Sequence, residues 1–110
     1  MEWIITKDLI AEPGEKTRVG YGALMRATVA TLPPKGTAER NDAKKAYIAT
    51  LPFEFRLYDD DNVLYYEGRC ADITKVCADE AFAPQDWAMN EAGCTSTKYR
   101  KVGDVRWEDL

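Results

Sequence analysis

Three cysteines, three consecutive aspartates and a basic, aromatic C-terminal stretch are the residues of this 110-residue chain that could do chemistry. Cys70, Cys77 and Cys94 could act as nucleophiles only as thiolates. The chain has no histidine, so no imidazole can take the thiol proton. A mononuclear zinc site would need all three cysteines and a carboxylate. The count is odd and no CxxC spacing occurs, which reads as three reduced, structural thiols of a cytoplasmic protein. Asp59, Asp60 and Asp61 suggest an oxygen-ligand metal site. A calcium loop wants D-x-D-x-D-G, but Val63 and Leu64 stand where the third acid and the glycine belong. "GEKT" at 14–17 fails as a phosphate loop because Glu15 separates Gly14 from Lys16. No metal site, cofactor or catalytic residue is implied.

The acids have a structural explanation in the segments on either side of them. "FRLYDDDNVLYYEGR" reads as a hairpin with a two-residue turn at Asp61-Asn62. Its register sets Phe53 opposite Cys70, Phe55 opposite Gly68 and Leu57 opposite Tyr66 on an apolar face. Glu54–Arg69, Arg56–Glu67 and Tyr58–Tyr65 occupy the other face. Both charged pairs are opposite in sign, and a one-residue slip would bring the apolar set to solvent. A second hairpin turns at Val102-Gly103-Asp104. It sets Lys98 opposite Glu108 and Tyr99 opposite Trp107, with Arg100 facing Arg106. That last pair repels unless solvent relieves it or an acid or phosphate sits between.

"EWIIT" reads as a further strand. "ALMRATVATL" carries mixed signals and is assigned to a short helix ending before Pro33-Pro34. Residues 33–42 read as a mobile loop. Thr37 or Asn41 then caps a helix through "AKKAYIATL", with Ala43, Ala46, Tyr47 and Leu51 on one face. Pro84 and Gly93 break the segment between the hairpins, which is expected to be irregular with one helical turn, its aromatics sealing the sheet. The expected fold is a single α+β domain over 1–110, an antiparallel sheet of four or five strands with one or two short helices.

The chain resembles a set of small uncharacterised bacterial proteins. The resemblance rests on "WIITKD", the "FRLYDDDNVLYYEGR" hairpin, "FAPQDW", "AGCT" and the terminal "RWEDL". It implies a compact bacterial domain and carries no activity, cofactor or site residue.

The formal net charge of −4 disfavours nucleic acid and anionic membranes as general partners. No apolar run is long enough to span a membrane, and the start is not a secretory signal. The leading expectation is a non-catalytic binding or accessory module with a protein partner. Its surface is the outer hairpin face, with Tyr58, Tyr65, Arg56 and Glu67, because tyrosine and arginine are common interface anchors. The alternative is single-stranded nucleic-acid binding through Lys98, Tyr99, Arg100, Arg106 and Trp107. A cysteine-dependent enzyme is the third reading.

Overall fold

A computed structural model describes residues 1–110 as one five-stranded antiparallel sheet with helices on both faces, an α+β fold. The strands are β1 (Trp3–Asp8), β2 (Phe53–Tyr58), β3 (Leu64–Cys70), β4 (Ser96–Lys101) and β5 (Glu108–Asp109), in the order β1-β3-β2-β4-β5. The helices are α1 (Arg26–Ala30), α2 (Ala38–Ala49), α3 (Ala78–Ala81) and α4 (Ala83–Ala92). None is long and apolar enough to cross a membrane.

The β2–β3 hairpin sits at the centre, with Phe53↔Cys70, Glu54↔Arg69, Phe55↔Gly68, Arg56↔Glu67 and Leu57↔Tyr66 as its alternation dictates. The register departs from expectation at the open end, where Tyr58 faces Leu64 instead of Tyr65. The loop is one residue longer than a two-residue turn. Asp59 N–H donates to the Val63 carbonyl at 3.0 Å, and Asn62 takes the left-handed conformation at φ 62°. The Asp59 carboxylate accepts from the amides of Asp61 (2.9 Å) and Val63 (2.8 Å), so it is part of the turn itself. Tyr65 absorbs the extra residue as a β-bulge, which turns its side chain toward the inner core.

The inner sheet face carries the main core: Trp3, Ile5, Phe55, Leu57, Tyr66 and Cys70 beneath Ile73, Ala81, Ala88 and Cys94. Helix α4 covers it, with Trp87 against Trp3 and Tyr66. This ten-residue helix replaces the irregular connection expected between the hairpins. Pro84 falls in its first turn, where the missing N–H costs nothing, and Gly93 closes it in the left-handed region at φ 76°. Gln85 ties the helix to β4, accepting from the buried Thr97 hydroxyl at 2.7 Å and donating to the Thr95 carbonyl at 3.0 Å.

A smaller core lies on the outer face at the β1 end. Ile4, Met25 and Leu51 are buried there under α1 and α2, with Val29, Tyr47 and Ile48 packed around them. Residues 23–30 are helical, as assigned. Thr37 caps α2 by accepting from the Arg40 amide at 3.2 Å. The expected loop at 33–42 therefore ends at Thr37, and residues 38–42 belong to α2.

The C-terminal hairpin is shifted by one residue from its expected pairing. Lys98 pairs with Asp109 and Tyr99 with Glu108. The longer loop keeps Arg106 from facing Arg100. Arg106 forms an ion pair with Glu108 at 3.5 Å.

Candidate functional site

Alternation along β2 and β4 sends Glu54, Arg56, Lys98 and Arg100 to the outer face, and β3 adds Glu67 and Arg69. A bulge at Thr6 adds Lys7 beside Glu67, where strict alternation would have pointed it inward. Helix α2 covers only the β1 end of this face. The uncovered part is a groove of about 360 Å³, with Ile48 of α2 on one side and Trp107 on the other.

Four cations line the groove, Lys7, Arg56, Arg69 and Arg100, against two carboxylates, Glu54 and Glu67. The rest of the chain is acidic enough to bring the total to −4. Each arginine is held by the protein through its Nε. Arg56 Nε lies 3.2 Å from Glu67 Oε1, and Arg100 Nε donates to Glu54 Oε1. Arg69 donates from Nε and Nη2 to the Leu51 carbonyl, where α2 returns to the sheet. Trp107 crosses over the first two, with its ring centroid 4.4 Å from Arg56 Cζ and 4.2 Å from Arg100 Cζ. Cation–π contact and ion pairing thus hold both guanidinium groups in place.

The structure unites parts of both expected surfaces and breaks each of them up. Arg56 and Glu67 of the first join Arg100 and Trp107 of the second in one groove. Tyr58 sits at the far end of β2 opposite Ser96, and Tyr65 packs against the inner core. Asp59 beside Tyr65 pushes that phenol above its ordinary value. Tyr65 therefore does not belong to an outer binding face. On β4, Tyr99 alternates to the inner side and packs near Phe53, with ring centroids 6.4 Å apart. Lys98 is bonded to Asp109 at 2.9 Å, and Arg106 lies outside the groove lining. Trp107 is the one aromatic of the proposed nucleic-acid platform that reaches the groove. Lys7, Glu54 and Arg69 complete its charged lining. For Lys7 the only signal in the sequence was the end of the apolar run at "IITKD".

The cysteines divide into two kinds. Cys70 and Cys94 are fully buried, and burial pushes their thiols up to about 12 and about 11. Neither is a nucleophile near neutral pH. Cys77 is exposed at the N-cap of the single-turn α3, which sets it apart from the two packed thiols, although all three read from sequence as structural. Iodoacetamide should therefore alkylate Cys77 in the folded protein, and Cys70 and Cys94 only after denaturation. Peptide mapping by mass spectrometry reads this directly. A folded-state adduct on Cys70 or Cys94 would contradict the packing described.

Comparison of the chain with protein-family models, with curated proteins and with solved structures finds no match.

Proposed function

We propose that this protein is a non-catalytic, cytoplasmic binding module that works through the groove on the outer sheet face. The observation that carries the reading is the fixed Arg56–Trp107–Arg100 stack at the mouth of a concave, net-cationic surface. Its side chains are those that recognise partners. The groove holds no cysteine, and the two buried thiols are pushed far from reactivity. The free thiols suit a reducing compartment.

Nucleic acid is the less favoured partner. A single-strand platform needs successive aromatic faces along a basic track, and here Tyr99 and Trp107 lie on opposite sides of β4.

The test is recovery of bound material from the native host on immobilised protein, comparing wild type with Arg56→Gln/Arg100→Gln. The partner should be retained by wild type and lost from the double variant, while the melting temperature changes by only a few degrees. A partner held equally by both proteins would place binding elsewhere on the molecule.

A further inference from the structure

We infer that the groove is built for a small ligand bearing a phosphate monoester, a dianion held by Arg56, Arg69 and Arg100. This deepens the binding-module reading and rests on it.

The first argument is donor bookkeeping. A guanidinium has five N–H donors. The framework uses Arg56 through an ion pair at Nε alone, and no hydrogen-bond acceptor engages its terminal nitrogens. Arg100 spends Nε on Glu54 and Nη1 on the Val105 carbonyl at 3.3 Å, leaving Nη2. Arg69 spends Nε and Nη2 on the Leu51 carbonyl, leaving Nη1. Each arginine is thus oriented through one end and keeps unspent donors on the other. Arg56 and Arg100 lie against one indole ring, and with Arg69 they line the same groove.

The second argument is charge. Glu54 and Glu67 cancel two of the four lining cations, which leaves an excess of two. A phosphate monoester is close to a dianion at neutral pH, with three acceptor oxygens arranged for several arginines at once. Lys7, whose side chain is 66% exposed, adds a mobile charge at the rim and reaches Glu67 at 3.5 Å. The third argument is size. About 360 Å³ is the scale of a small-molecule site, and the Ile48 and Trp107 walls suit an organic body attached to the phosphate.

The experiment is two-dimensional NMR of the whole protein at fixed ionic strength, following the Trp107 indole N–H and the arginine Nε–H signals. The probes are inorganic phosphate, glycerol 3-phosphate, adenosine monophosphate, succinate and sulfate. Saturable shifts at Trp107 and at the three arginines with a phosphate ester, tighter than with succinate or sulfate, are the expected result. Arg56→Gln and Arg100→Gln should each weaken that binding about tenfold or more, since each removes charge-assisted hydrogen bonds. Lys7→Gln, at an exposed position where folding is not at stake, should weaken it a few-fold.

Three outcomes would overturn the inference. One is an absence of saturation by any phosphate ester up to 10 mM. Another is phosphate-ester binding that is insensitive to all three substitutions. The third is equal binding of succinate and sulfate, which marks a general anion patch. If the host partner is still lost from the double arginine variant while phosphate esters fail, the groove remains the binding site and only its ligand class is wrong. If that partner is also retained, both readings fall.

Discussion

Tyr66→Ala should destabilise the protein by about 3–5 kcal/mol, the range for deleting a large aromatic from a packed core. Tyr66 is the largest fully buried side chain, at 0% exposure. Its ring meets Trp87 edge-on at 5.1 Å, and Trp87 in turn lies 6.2 Å from Trp3. Removing the ring would leave a cavity between the central hairpin and α4 that neither sheet nor helix can close without losing other contacts. Tyr66→Phe tests the polar end separately. The hydroxyl accepts from Arg18 Nη1 at 3.3 Å, and Arg18 can return to water, so this change should cost only about 1 kcal/mol. Burial raises the Tyr66 phenol, with Arg18 working against it. An unfolded tyrosine ionises near pH 10 while the buried one keeps its proton, so this contribution is complete below about pH 10 and is lost as pH rises beyond it. Tyr66→Phe should flatten that alkaline decline. Urea melts across pH give all three numbers. A cost below 1 kcal/mol for Tyr66→Ala would mean that α4 does not seal the sheet through this residue.

The central hairpin was legible from sequence because two independent patterns agreed. Charge pairing at Glu54–Arg69 and Arg56–Glu67 and apolar pairing at Leu57–Tyr66 admit one register, and the strands adopt it. Past Leu57 no charged pair remains to enforce the register. There the Asp59 carboxylate, by accepting two loop amides, stabilises a longer turn, and Tyr65 bulges to accommodate it. The C-terminal hairpin was ambiguous for a similar reason. Glu108 and Asp109 are both acids, so either could face Lys98. What the sequence does not display is the contact of Trp107 with Arg56, two strands away from β5. Helix α4 was hidden by Pro84 and Gly93, both read as breakers although they stand at the two ends that tolerate them. Of the groove, Arg56–Glu67 and Glu54–Arg69 were readable as outer-face pairs, although Glu54 turns to Arg100 and Arg69 to the Leu51 carbonyl. Lys7 depends on a bulge and Trp107 on a loop length, neither of which is a local property of the residue.

Gly68→Ala is expected to cost about 3 kcal/mol, at the upper end of the overpacking range, although it changes one hydrogen to a methyl group in a strand. The reason lies in the residue opposite. Phe55 pairs with Gly68 on the inner face and is 1% exposed. A Cβ at position 68 would lie 2.2 Å from Phe55 Cζ and 2.5 Å from the Ile4 carbonyl oxygen on β1. The aromatic ring occupies the space the missing side chain leaves, a cross-strand arrangement in which a strand glycine is compensated by its partner. Alanine would have to move a buried ring that has Leu57 and Tyr66 for neighbours, and also press on the backbone of the adjoining strand. Shortening the ring should relieve only the first of these. Phe55→Leu is destabilising by itself, but combined with Gly68→Ala it should cost less than the sum of the two single changes by about 0.5–3 kcal/mol, the coupling typical of residues in contact. The carbonyl clash should keep the double variant below wild type. Denaturant melts of the four proteins close the cycle. Strict additivity, or a Gly68→Ala variant as stable as wild type, would show that the Phe55 ring is not seated over residue 68 and that the inner core is packed differently at its centre.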